Sequence, residues 1–171
     1  MINLGGIYCK VLACASILDV MCGMNDLRLT NTLRLMQSAD QIKARLSGDF
    51  ASVHGLSVNE VLLLMHLEQA PLCRMSRVEL AKRMHLSAST VTRMAAPLEK
   101  LGLVSRQADS RDARLAFVVL TDAGLEKIKE ARATFAKQAS YVFRDRWSDT
   151  DLEELSSLLH RLIADAPGNL T

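Results

Sequence analysis

The segment Ser76–Leu120 reads SRVELAKRMHLSASTVTRMAAPLEKLGLVSRQADSRDARLAFVVL. Ser76 followed by Glu79 has the spacing of a capping box, in which a hydroxyl and a carboxylate each satisfy the other's backbone N–H. It predicts a short helix to about Met84. Ser87 is the N-cap candidate of a second helix that closes at Gly102. Val91, Met94, Leu98 and Leu101 recur at steps of three and four and make its inward stripe. Leu103–Arg106 and Leu115–Leu120 then read as paired strands. The second is apolar without interruption and is expected to be covered on both faces. The loop between them, Gln107 to Arg114, carries no large apolar residue.

Two short helices about the hinge His85-Leu86-Ser87, then a polar loop between two strands, is the order of a winged helix-turn-helix, which sets one helix in a DNA groove. Each part alone has a plainer reading. Tight helix pairs are common. Ser87, Ser89, Thr90, Thr92 and Arg93 form the outer face of the second helix near its N-terminus. They suit phosphates and base edges in a major groove, where the helix dipole also favours a phosphate, but Ser and Thr open helices everywhere. The loop separates the readings. Asp109, Arg111 and Arg114 give it a charged tip that is merely solvated in isolation. Beside a helix-turn-helix it becomes a wing able to carry Arg111 into a minor groove, with Asp109 or Asp112 steadying the guanidinium. Arg74 and Arg77 are candidates for contacts to the DNA backbone.

Charge follows the same division. The whole chain of 171 residues carries only +2. Residues 74–114 hold nine Lys and Arg against four Asp and Glu, leaving twelve basic and fifteen acidic residues elsewhere. A basic face on a mildly acidic body suggests a polyanion partner, with a solvated basic surface as the plainer alternative. At 49% hydrophobic and 23% charged the chain suits one folded domain with an added dimerisation element. No apolar run reaches the roughly 18 residues of a membrane span. The four histidines, His54, His66, His85 and His160, lack metal-binding spacing. No G-x-S-x-G or phosphate-binding glycine loop occurs. The expectation is no enzyme, no catalytic residue, no metal and no cofactor.

The rest of the body reads as helices. One spans about Asn25–Leu46, with Gly48 and the polar run to Gly55 ending it. Ser57-Val58-Asn59-Glu60 is another capping box, opening a helix with Val61, Leu64 and Leu67 on one face. Thr121 caps a long helix to about Arg146, and Ser148–Asp151 starts a last one carrying Leu152, Leu155, Leu159 and Leu162. The fold class is mainly α with a small β-hairpin wing (α+β), and the wing belongs to a winged helix-turn-helix flanked by N- and C-terminal dimerisation helices. Residues 57–120 form the DNA-binding domain, and 25–56 with 121–166 the dimerisation region. Residues 1–24 are apolar and unlike the remainder. Val11-Leu12-Ala13-Cys14 approximates a lipoprotein box, but the stretch before it is short and uncharged. Two readings stand for this segment, an extra helix or a true start at Met21 or Met24. Cys9, Cys14, Cys22 and Cys73 have no C-x-x-C spacing and read as free cytosolic thiols.

From about Leu56 to Leu162 the sequence resembles the MarR family of bacterial transcription regulators. The resemblance is sharpest at Leu86–Arg93, Leu98–Val104, Asp109–Arg114 and Leu120–Gly124. It implies a cytoplasmic homodimer on a pseudo-palindromic double-stranded DNA operator, commonly a repressor released by a small molecule or an oxidant. It also implies an effector pocket between the dimerisation helices and the DNA-binding lobe, with His54, Met65 and His66 as candidates. Core packing is the alternative for each. Met21, Met24 and Met36 could add an adaptable wall. Cys22 and Cys73 are the candidates for thiol sensing, against the usual role of Cys as a small buried hydrophobe. A winged helix used only for protein contacts is the remaining alternative. Pro97 stands where relatives usually carry a polar residue. It removes the donor to the Arg93 carbonyl, so the helix is expected to bend there.

Overall fold

A computed structural model describes residues 26–108 and 116–163. The 1–24 segment, Cys22, and the wing residues Asp109, Arg111 and Arg114 lie outside the described residues. The chain divides into two units, Met1–Lys43 and Ala44–Thr171. Within the first lies most of α1 (Leu27–Asp49), on which Leu27, Leu29, Leu33, Leu35 and Met36 are exposed. Everything below concerns the second unit.

Gly48 does not end the first helix as expected. The chain stays helical through a π-turn, Phe50–His54, and stops at Gly55. Leu46 and Phe50, one turn apart, are both buried, and Phe50 packs against Phe135 with ring centroids 4.7 Å apart. That apolar anchoring outweighs one glycine's cost to the helix, on the order of 1 kcal/mol.

The central helix is α2 (Val58–Glu68), opened by the expected reciprocal capping box between Ser57 and Glu60. It is buried nearly all round, at Val61, Leu63, Leu64, His66 and Leu67 rather than on one stripe. A tight turn at Pro71–Cys73 leads into β1 (Arg74–Ser76), a strand too short to show in the sequence pattern. Then come α3 (Arg77–Arg83), α4 (Ala88–Lys100), β2 (Val104–Ala108), β3 (Ala116–Leu120), α5 (Asp122–Val142) and α6 (Asp149–Ile163). The sheet is antiparallel with order β1-β3-β2, so the expected hairpin is a three-stranded sheet with β3 in the middle. Arg74 pairs with Val119, and Val104 with Leu120. Val118 and Leu120 are buried, while Phe117 and Val119 are half-buried. Thus β3 is fully covered on one face only.

Each turn around α4 has a definite cause. Leu86 N–H bonds to Ala81 O and His85 N–H to Lys82 O, a Schellman closure of α3. His85 takes the left-handed position at φ 53°. The same closure ends α4, with Leu103 N–H on Leu98 O and Gly102 at φ 71°. Thr121 caps α5 by accepting from Gly124 N–H, while its hydroxyl reaches Gly102 O at 2.6 Å. Gly124 has no alternative here, since a Cβ would sit 2.2 Å from Leu103 O. The expected L-T-x-x-G stretch therefore seats α5 against the end of α4. The long helix ends at Val142, short of Arg146. Among the described residues no single helix is long and apolar enough to cross a membrane.

Candidate nucleic-acid interface

Burial of Val91, Ala95 and Leu98 orients α4. Its inward stripe uses Ala95, whereas Leu101 is 61% exposed because it caps the helix beyond the last inward turn. The opposite face is thereby presented. Ser87 Oγ accepts from Thr90 N–H at 3.1 Å and lies within 2.9 Å of the Ser89 and Thr90 hydroxyls. These three hydroxyls form one cluster at the positive end of the helix, where an anion is favoured. Thr92 donates to Ala88 O and accepts from Arg77 Nη1 at 3.3 Å, so Arg77 leans on the helix from α3. Arg93 is exposed and has no ion-pair partner among the described residues. All five outer-face candidates thus stand on one turn and a half of helix. Pro97 lies on the exposed side near its C-terminal end, and α4 continues past it to Lys100.

Arg74 also braces the sheet. Its guanidinium lies 5.0 Å over the Phe117 ring and donates to Gln107 Oε1 at 3.3 Å, bracing the sheet across β3. The Ser76 capping box is only half made. Ser76 accepts from Glu79 N–H, but the Glu79 carboxylate pairs with Arg83 at 3.0 Å, one turn on. The sequence reading also passed over an ion pair that ties the sheet to the helix. Arg106 Nε on β2 meets Glu99 Oε2 on α4 at 2.9 Å. The two residues flank the Gly102 turn that folds β2 back beside α4.

The three effector candidates lie on the π-turn and on α2. Met65 lines a shallow pocket of about 300 Å³ with Leu62, Arg132 and Phe135. His54 is on the π-turn, its Nε2 2.8 Å from Thr134 Oγ1 and its Nδ1 without a hydrogen-bond partner. His66 is buried, and burial, followed by the charge of Arg83, lowers its pKa below the usual histidine value. Cys73 is half-buried, with Sγ 4.0 Å from Glu68 O.

A profile of the MarR family matches residues 56–115, covering α2 to the wing. Over those residues the chain is similar to the MarR family. It is 29% identical over 110 residues to the HTH-type transcriptional regulator YdgJ of Bacillus subtilis, covering 64% of this chain and 63% of that protein. It is 31% identical over 111 residues to the HTH-type transcriptional repressor YetL of the same organism, covering 63% and 66%. The match thus spans just under two thirds of each of these relatives. Among solved structures, Sco3205 of Streptomyces coelicolor, a MarR-family regulator crystallised with DNA, superposes with a TM-score of 0.69 at 24% identity, over 81% of this chain and 91% of its own. That likeness shows a shared winged-helix fold.

Proposed function

We propose that this chain is a sequence-specific DNA-binding transcriptional regulator of the MarR family. The observation that carries the reading is the outer face of α4. Three clustered hydroxyls and the exposed Arg93 stand together beside the sheet, in the segment that holds the chain's excess of positive charge. In this reading α4 reads base edges in the major groove, and Asp109, Arg111 and Arg114 serve the minor groove. Arg77 and Arg74 serve the phosphate backbone, Arg77 while holding Thr92 and Arg74 while bracing the sheet.

Dimerisation through the outer helices fits the apolar surface they leave open. On α6, Leu158, Leu159, Leu162 and Ile163 are exposed, and a groove of about 710 Å³ runs between Phe143 and Leu152, Leu155 and Leu159. Two copies related by a twofold axis would present two α4 helices to a pseudo-palindromic operator. Repression fits the likeness to YetL, and the apolar pocket at Met65 gives a small effector a place to act. The partners are double-stranded DNA, a second copy and that effector, with action in the cytoplasm.

The test selects a duplex from a random library with the purified protein, then measures binding of that duplex and a scrambled one across a salt series. Specific binding persists to higher salt than the scrambled control. Equal affinity for both duplexes would leave only a non-specific polyanion binder, and no retention of either would leave a protein-contact module.

A further inference from the structure

Between α4 and the sheet the packing is incomplete. A cavity of about 130 Å³ lies there, lined by the small Ala95 and Ala116, by Phe117, and by the polar Arg77, Thr92 and Arg106. Close packing normally fixes the distance between a helix and the sheet behind it. Here the methyl groups of Ala95 and Ala116 do not fill the gap, so contact alone does not fix how far β2 stands from α4. Two polar struts border the gap instead. Arg77 reaches Thr92 at 3.3 Å near the start of α4, and Arg106 reaches Glu99 at 2.9 Å near its end.

We propose that Glu99 and Arg106 are positioning residues for DNA recognition. They hold β2, and with it the wing that β2 leads into, at a set distance from the α4 reading face. The inference rests on the DNA-binding reading above. It also explains why an acidic side chain stands in a segment built to meet a polyanion. Glu99 repels DNA over distance, yet it fixes the arginine that sets the wing. The side chains are 48% and 39% exposed, so solvent screens the pair and its contribution to overall stability is small. Its effect is on geometry, where a misplaced wing loses contacts that depend on reach.

The experiment uses the full chain and the duplex selected by the wild-type protein. Affinities are measured across a salt series for Glu99→Gln, Arg106→Gln, the double variant, and the exchange Glu99→Arg with Arg106→Glu. Glu99→Gln removes a negative charge, so simple electrostatics predicts tighter binding. A positioning role predicts the opposite, about threefold weaker binding, in keeping with a half-exposed pair. The double variant should then bind no worse than Arg106→Gln alone, and the exchange should restore affinity to about the wild-type level. Any change in salt slope should be the same for Glu99→Gln and Arg106→Gln, because both displace the same strand. Unchanged or tighter binding by Glu99→Gln overturns the proposal. So does a salt slope for Arg106→Gln shallower than that of Glu99→Gln, which would place that guanidinium on a phosphate. If the wild-type protein selects no DNA at all, the functional reading itself fails. If it binds and Glu99→Gln binds equally well, only the positioning role fails.

Discussion

α4 and α6 are built alike and used differently. Both start at a serine N-cap, Ser87 and Ser148, and both carry apolar residues at three- and four-residue spacing. On α4 the stripe is consumed by the chain's own core, with Val91 and Leu98 fully buried. On α6 no residue is buried. An amphipathic pattern states that a helix needs a partner, without stating whether the partner is the same chain. Polar faces show the same contrast. That of α4 is unusually rich in hydroxyls with an exposed arginine, while that of α6 is acidic at its start, as an N-terminal turn prefers.

The largest expected difference is in the stripes. Leu98→Ala leaves a cavity in a closed core and should cost about 2–5 kcal/mol in denaturant unfolding, independent of protein concentration. Leu159→Ala should cost far less when the protein is dilute. If α6 docks on a second copy, Leu159→Glu should instead raise the dimer dissociation constant by roughly tenfold or more in sedimentation experiments, since burying a leucine is worth about 1.5–3 kcal/mol. Equal, concentration-independent costs for Leu98→Ala and Leu159→Ala would erase the distinction between the two helices.

Next comes the polar face of α4. Arg93→Ala should weaken binding to the selected duplex by about 1–3 kcal/mol and relax sequence preference at one position of each half-site. A charge removed from the exposed face of α6, as in Arg161→Ala, should leave that affinity nearly unchanged. An Arg93→Ala variant that binds as the wild type does would mean that the outer face of α4 is not the reading face.

How far the sequence disclosed this arrangement depended on distance along the chain. The caps at Ser57, Ser87, Thr121 and Ser148 were legible because a cap is decided within four residues. So was the closure of α4 at Gly102, where the left-handed turn asks for glycine. His85 holds the equivalent turn after α3 without that signature. There the downstream leucine and the next cap mark the hinge. The third strand was not legible, because three residues carry no period and β1 exists only through pairing with β3, some forty residues later. Glu79 read as half of a capping box, but Arg83 competes for its carboxylate one turn on. Arg74 reads in the sequence as a candidate for the DNA backbone, and only the fold reveals Phe117 beneath it. The outer-face residues of α4 were found because they share one helix. Glu99 and Arg106 were not, since they meet across a turn whose geometry had to be seen.

The smallest expected difference is in the caps themselves. Ser87→Ala and Ser148→Ala should each cost about 1 kcal/mol, but in different places. In the closed lobe the loss at α4 appears as global unfolding. At α6, which the monomer core does not hold, it appears as fraying seen by amide exchange. The caps also differ toward acid. At the third position α4 has Thr90, which does not titrate, whereas α6 has Asp151. Its carboxylate accepts from the Ser148 hydroxyl at 2.7 Å and the Ser148 N–H at 2.8 Å. Those bonds hold the Asp151 carboxyl below the usual aspartate value of 3.8. The charged form is therefore the one the helix favours. Its contribution is present above the unfolded value and is lost as the pH falls below it, through the lowered folded value. The first turn of α6 should loosen in that window, read by the amide shifts of Ser148 and Asp151, and Asp151→Asn should abolish the step. The α4 cap should show no such step. A matching transition at Ser87 and Thr90 would mean that the two caps report one global event rather than two helices with separate fates.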